Sequence, residues 1–201
     1  MTAPPAPFAG AVLCGGASRR MGADKALLEV DGEPMALRVA RSLRAAGAAE
    51  VFAVGGDASG LAALGLLVVA DDSPGEGPLP ATLTALEHAS HDMVVVLSCD
   101  LVHPSPAAIA AVLDALHRAG PTVLAAVPVA GGHHQWTHAA WRRVARHPLG
   151  TAQAGGARSL RRAASELALC EVSGIDARLL ADADTPADLA DGVRRTRSGR
   201  R

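Results

Sequence analysis

Short apolar runs alternate along the chain with stretches of helical spacing. Phe8–Leu13 is an unbroken apolar run that ends in a Gly-rich loop, and residues 34–46 carry Met35, Leu37, Val39 and Leu43 at helical intervals until Gly47. Glu50–Val54 predicts a second strand, Leu61 and Leu64 a short helix, residues 66–70 a third strand and residues 82–89 a helix. Residues 92–98 are the strongest strand signal, apolar on both faces as a central parallel strand must be. A helix over 106–119, stopped by Gly120, and a fifth strand over 122–127 follow. Beyond them the pattern predicts an edge strand at 135–138, helices at 138–146 and 159–167, a strand at Leu169–Val172 and a last helix at 186–193. Strands and helices alternating at this spacing specify an α/β fold, a mostly parallel sheet with helices on both faces.

No internal repeat or linker divides the chain, so residues 1–193 are expected to form one domain and residues 194–201 a basic, disordered tail. The 201 residues are enough for a substantial core. Aromatics make up only 2%, so that core must be built from Val, Leu, Ile and Ala. With 19 basic and 20 acidic residues the net charge is −1, which argues against a nucleic-acid partner. Cys14, Cys99 and Cys170 are sparse and form no CxxC, against a disulfide framework or a zinc site; Cys14 and Cys99 end apolar runs and read as small buried residues. Neither a signal peptide nor a membrane-spanning run is present, so the cytoplasm, with no membrane partner, is the default compartment, and a monomer is expected.

Ligands of such folds bind at the carboxyl ends of the strands. That rule selects the loops 14–25, 71–80 and 99–104. In the first, Gly15 and Gly16 let backbone N–H groups approach an anion, Ser18 adds a hydroxyl, and Arg19, Arg20 and Lys25 add positive charge. These are the requirements for screening a triphosphate. The spacing is neither that of a Walker loop nor that of a dinucleotide-binding loop. Asp100, just past the most buried strand, offers a hard oxygen ligand for Mg²⁺; a turn- or helix-capping role is the competing structural reading. The Gly- and Pro-rich segment from Asp71 and Asp72 to Leu79 can present peptide groups and a carboxylate to a base edge, or serve as an Ω-like structural loop.

The segment Leu13-Cys14-Gly15-Gly16-Ala17-Ser18-Arg19-Arg20-Met21-Gly22-Ala23-Asp24-Lys25-Ala26-Leu27-Leu28 resembles the signature of the molybdenum cofactor guanylyltransferases. Gly77-Pro78-Leu79 is similar to that family's base-side loop and Ser98-Cys99-Asp100 to its metal-binding strand end. Asp184-Thr185-Pro186-Ala187-Asp188-Leu189 is similar to its C-terminal element. The resemblance implies a three-layer, Rossmann-like fold of the nucleotide-diphospho-sugar transferase type. It implies GMP transfer from GTP to molybdopterin with release of pyrophosphate, and Asp24 ahead of Lys25 favours the guanylyl over the cytidylyl branch. By resemblance, Leu13, Cys14, Gly15, Arg20 and Lys25 contact the triphosphate, Asp72 the guanine side and Asp100 the magnesium. Gly16, Ser18, Gly77, Pro78 and Leu79 complete the nucleotide site, and Arg20, Lys25 and Asp100 are the catalytic set. A molybdopterin-delivering protein or a client molybdoenzyme is an implied partner.

The chain departs from the family pattern at several points. Pro80-Ala81 follows Gly77-Pro78-Leu79, which shifts the expected helix entry; Gln135-Trp136-Thr137 replaces the family's Gln-Pro-Leu; and Asp182 and Asp184 stand where the family carries Asn on the pterin side. Trp136, beside Trp141, and Arg158 are further pterin-side candidates against core packing and a solvated helix face. His133, His134 and His138 read as surface or substrate-side polar residues rather than metal ligands. A phosphate nucleophile is already ionised at neutral pH, so positioning and charge stabilisation by Arg20 and Lys25 suffice without a strong general base. The competing functions are a transferase for another base or acceptor (cytidylyl, sugar-phosphate or phospholactate) and a non-catalytic cofactor-binding or chaperone module.

Overall fold

A computed structural model describes residues 6–15 and 24–183. The elements, in chain order, are β1 (Phe8–Leu13), β2 (Glu29–Val30), β3 (Glu33–Pro34), α1 (Met35–Ala45), β4 (Glu50–Val54), α2 (Ala58–Ala63), β5 (Leu67–Val69), α3 (Pro78–His88), β6 (Met93–Ser98), α4 (Pro106–Arg118), β7 (Ala125–Ala130), β8 (His133–His134), β9 (His138–Arg142), α5 (Arg146–Ala154), α6 (Leu160–Ala163) and β10 (Leu169–Val172).

Seven strands run across the main sheet in the order β10-β7-β9-β6-β1-β4-β5, and β8 pairs with the side of β7. The pairs β1–β4, β1–β6, β4–β5 and β7–β10 are parallel, whereas β9 lies antiparallel between β6 and β7. Alternate residues of each strand feed two cores. Ala9, Ala11, Val94 and Val96 face the layer of α3, α5 and α6 with Leu86, Leu149 and Leu160. Phe8, Val12, Val95 and Leu97 face the layer of α1, α2 and α4 with Leu43, Leu61 and Leu116. This two-sided burial is why the strands read as continuous apolar runs. Gly10 permits a close approach of α1 to β1, because a Cβ there would come within 2.9 Å of the Leu43 side chain.

The expected three-layer, mostly parallel architecture is the observed one, but the last third of the chain differs from its pattern. The strand expected at 122–127 is shifted to Ala125–Ala130. The helix expected over 138–146 is instead the strand His138–Arg142, internal to the sheet, and the next helix starts at Arg146. Ala139, Ala140 and Trp141 are wholly buried, so packing on both faces overrides the helix preference of an Ala-rich segment. The helix expected over 159–167 is reduced to Leu160–Ala163. The β2–β3 hairpin has no counterpart in the sequence reading, although Asp31 at φ 53° and Gly32 at φ 79° form the Asp-Gly turn typical of tight hairpins. Helix α3 starts four residues earlier than expected, with Gly77 as its N-cap and Pro78 inside it, so Pro80 falls in the first turn, where its missing N–H is not needed. The last expected helix, 186–193, and the tail lie outside the described residues.

Candidate active site

Chain order reverses between β1 and β6. From β1 the chain steps outward to β4 and β5, then crosses back to place β6 on the other side of β1. The carboxyl ends of β1 and β6 therefore form a topological switch point, where open α/β sheets place their ligands. Leu13 is level with Ser98, and the Cys99 amide continues the pairing by donating to the Leu13 carbonyl at 3.1 Å. Cys14 and Cys99 are buried there as expected of small apolar residues. The Cys99 thiol is pushed well above its ordinary range, first by its hydrogen bond with Cys14, then by burial and by the nearby Asp100 and Asp24. It is a structural group rather than a nucleophile.

Asp100 emerges directly beyond this pair. Its Oδ2 accepts from Lys25 Nζ at 3.0 Å, and its Oδ1 accepts from the Ser98 hydroxyl. The two charged side chains are only 17% and 15% exposed, so the attraction is weakly screened while an opening to solvent remains. The capping reading of Asp100 does not describe this geometry, since Ser105 caps α4.

Lys25 is delivered by a single 3₁₀ turn, Lys25–Leu27, whose position depends on Asp24. One Asp24 oxygen caps the turn by accepting from the Ala26 amide at 2.9 Å; the other accepts from the Asp57 amide at 2.7 Å, tying the turn to the β4–α2 loop. Lys25 Nζ also donates to the Ala183 carbonyl at 2.7 Å. That carbonyl belongs to a C-terminal strap, residues 181–183, paired against the loop after β6. The Val102 amide donates to Ala181 at 3.0 Å, the Ala183 amide donates to Asp100 at 2.9 Å, and Leu101 and Asp182 form an antiparallel bridge. Arg38 of α1 clamps the same loop, donating to the carbonyls of Val30 at 3.0 Å and Val102 at 3.1 Å. The residues Val30, Met35, Val102 and Ala183 close an apolar cluster beneath these contacts.

The other sequence candidates divide into three groups. Gly16, Ser18, Arg20 and Asp184 lie outside the described residues. Leu13, Cys14, Gly15, Asp72 and the Gly77-Pro78-Leu79 helix entry sit at or after the carboxyl ends of β1 and β5. The Cys14 and Gly15 amides donate to the Val54 carbonyl at 2.9 and 3.2 Å, extending the strand pairing. Gly15 packs closely, since a Cβ would lie 3.0 Å from Asp71 Oδ2. Asp72 is exposed, whereas Leu79 is fully buried and anchors α3. In the third group, Asp182 lies on the strap bridged to Leu101, next to Asp100, whereas Trp136 packs against the core on the α3 side of the sheet. Trp136 stacks on buried Trp141 at a centroid distance of 6.4 Å and on His134 at 5.0 Å, and Arg158 is exposed ahead of α6.

Of the three histidines, His133 is exposed and His134 partly so, and only His138 departs from the surface reading. His138 is 2% exposed, with Nε2 3.1 Å from Asp182 Oδ1, and His134 Nε2 lies 2.9 Å from Glu171 Oε1. Both carboxylates come from distant parts of the chain. Sequence reasoning also missed Ser98 as Asp100's partner, Arg38 as the loop clamp and Asp71 beside Gly15. Of these, Ser98 alone carried a signal, as the hydroxyl two residues before the strand-end carboxylate.

A lysine–carboxylate pair at the switch point of a mostly parallel sheet is suited to a phosphate-bearing ligand. The model of the MobA-like NTP transferase domain matches residues 10–170, and the chain belongs to that family. It is similar to probable molybdenum cofactor guanylyltransferases of Mycobacterium avium, at 30% identity covering 90% of this chain and 93% of the relative, and of Chloroflexus aggregans, at 31% covering 90% and 91%. A shorter match, 45% identical, covers 46% of this chain and 44% of a probable molybdenum cofactor guanylyltransferase from Pelotomaculum thermopropionicum, so this match spans under half of that relative's length. In fold it resembles molybdopterin-guanine dinucleotide biosynthesis protein A of Archaeoglobus fulgidus, with a TM-score of 0.76 at 20% identity, covering 94% of this chain and 99% of the other. The 2-C-methyl-D-erythritol 4-phosphate cytidylyltransferase of Thermus thermophilus is similar in fold too, with a TM-score of 0.70 at 21% identity over 93% of this chain and 98% of the other. Among the described residues no helix is long and apolar enough to cross a membrane.

Proposed function

We propose that the chain transfers GMP from GTP to the terminal phosphate of molybdopterin, forming the guanine dinucleotide cofactor and releasing pyrophosphate. The observation that carries this reading is the Lys25–Asp100 pair, held at 3.0 Å at the switch point of the sheet. The guanylyltransferase names of relatives aligned over most of the chain support the choice of base and acceptor.

A phosphate oxygen of the acceptor attacks the α-phosphorus, and the bond from that phosphorus to the β-phosphate oxygen breaks. Lys25 turns from the Asp100 carboxylate toward the triphosphate and stabilises the charge that develops on the α-phosphoryl group and the leaving pyrophosphate. Arg20 adds positive charge from the same loop, and Gly16 and Ser18 contribute donors. Exposed Asp72 and the Gly77-Pro78-Leu79 entry to α3 read the guanine.

The residues present fit Mg²⁺. Asp100 is a hard, partly exposed carboxylate with one oxygen braced by Ser98 and the other by a lysine that a nucleotide can draw away. Mg²⁺ needs only one or two protein carboxylates beside phosphate oxygens and water. Bound there, it supplies charge neutralisation to the triphosphate. Delivery of molybdopterin by a carrier protein and hand-off to a client molybdoenzyme belong to the same reading.

Incubating the chain with GTP, Mg²⁺ and molybdopterin is expected to yield the guanine dinucleotide and one pyrophosphate per product, with CTP a poor substitute. Equal use of CTP, or product with a sugar phosphate but none with molybdopterin, would reassign base or acceptor. Nucleotide binding without pyrophosphate release from any pair would end the enzymatic reading.

A further inference from the structure

His138 has no role in the chemistry above, yet it occupies an unusual place. It opens β9, the reversed strand of the main sheet, level with Leu97 of β6 and therefore close to the strand end that carries Asp100. Its side chain is 1% exposed beside a small cavity of about 10 Å³ lined chiefly by Leu97, Leu101, Ile109, Val112 and Leu180. An aliphatic residue would satisfy such surroundings better than an imidazole, whose polar atoms need partners once buried. Among the described residues, Nδ1, Nε2 and Asp182 Oδ1 have no aligned hydrogen bond, and Nε2 and Oδ1 face each other at 3.1 Å. Core packing alone leaves this pair unexplained.

Asp182 is the middle residue of the strap. Ala181 on one side accepts from the Val102 amide, while Ala183 on the other donates to Asp100 and accepts from Lys25 Nζ at 2.7 Å. The strap thus carries an acceptor of the candidate catalytic lysine and grips the backbone of the candidate metal-binding carboxylate. The His138 contact is what ties this strap to β9, from the half of the sheet opposite the Lys25 turn.

We propose that His138 is a positioning residue. Paired with Asp182, it clamps the 181–183 strap against the loop after β6, which sets the Ala183 carbonyl on Lys25 and holds the Lys25–Asp100 pair in register. Loss of the clamp leaves both charged groups present but misplaced, and transfer chemistry is sensitive to displacements of about 1 Å. The turnover arm of this inference rests on the proposed transferase reading; the structural arm does not.

The test uses the full chain with His138→Leu, His138→Gln and Asp182→Asn, followed by amide hydrogen exchange and pyrophosphate release. In His138→Leu, exchange at the Val102 and Ala183 amides is expected to speed up by about tenfold or more while Val95 in β6 stays protected. The kcat for GMP transfer is expected to fall by about tenfold with KM for GTP nearly unchanged. His138→Gln keeps an N–H for Asp182 and should recover most of the protection and turnover; Asp182→Asn keeps an acceptor for His138 and is read by exchange alone, where most of the protection should remain. Unchanged exchange at Val102 and Ala183 in His138→Leu would overturn the proposal. So would equal loss at Val95, or a glutamine variant as impaired as the leucine one. If the unaltered chain releases no pyrophosphate, the transferase reading fails while the exchange data still decide the clamp.

Discussion

The two halves of the sheet are built differently. The β5-β4-β1-β6 half is all parallel, and its loops carry the candidate chemistry at the switch point. The β9-β7-β10 half contains a reversed strand, a two-residue strand pairing outside the main path and a buried tryptophan. Polar groups in the first half, such as Lys25, Asp100 and Ser98, meet one another at the rim and remain partly open to a ligand. In the second half Arg142 is spent on carbonyls of its own chain and His138 on Asp182. On the proposed reading, the contrast separates residues kept for a substrate from residues kept for the frame that aims them.

Variants that divide the two halves should show this separation. Lys25→Ala is expected to lower turnover about 10²–10³-fold, the cost typical of losing a group that stabilises developing charge, while the thermal midpoint moves little. Pyrophosphate release and thermal denaturation on one preparation measure both, and a stability loss matching the activity loss would make Lys25 structural. Arg142→Ala should give the opposite pattern. Its guanidinium donates to the carbonyls of Val123 at 2.9 Å, Leu116 at 3.1 Å and Gly120 at 2.9 Å. Losing these contacts should cost about 2–4 kcal/mol in urea unfolding with KM for GTP unchanged. A change in KM without a change in stability would erase the distinction drawn between the halves.

Ser98→Ala removes the hydroxyl from Asp100 Oδ1 while Lys25 stays on Oδ2. A fall in turnover of about threefold to tenfold is expected, steeper at limiting Mg²⁺, and a magnesium titration reads it. The smallest effect concerns His103, on the loop that Arg38 clamps. Burial first, then the positive charges of Arg38 and Arg178, lower its pKa from the ordinary 6.5. The folded state thus favours the neutral ring and the unfolded chain takes the proton first. Stability should be undiminished by this group above pH 6.5 and fall as the pH drops through the lowered folded value. His103→Asn should flatten that part of the profile, and an unaltered slope in urea unfolding across the window would remove His103 as its source.

Legibility also differs between the halves. Phe8–Leu13 and Glu50–Val54 were readable to the residue because each is a short apolar run closed by glycines. His138–Arg142 was misread because two alanines and a polar first residue resemble a helix more than a strand. The site followed the same division. Lys25 and Asp100 were visible because a Gly-rich turn and a strand-end carboxylate are local features. Arg38, the strap and the His138–Asp182 contact were not, since their partners lie 64, 158 and 44 positions apart for Arg38–Val102, Lys25–Ala183 and His138–Asp182 respectively.

By itself, then, the order of apolar runs, turns and charges determined an alternating α/β chain with its candidate chemistry at the strand ends, because hydrophobic period and turn chemistry act over a few residues. Only the tertiary structure decided that β9 is reversed inside the sheet, that Asp182 faces a buried histidine, and that Lys25 rests on the Ala183 carbonyl. Those outcomes depend on which distant groups share one low-dielectric space, a condition that no local pattern encodes.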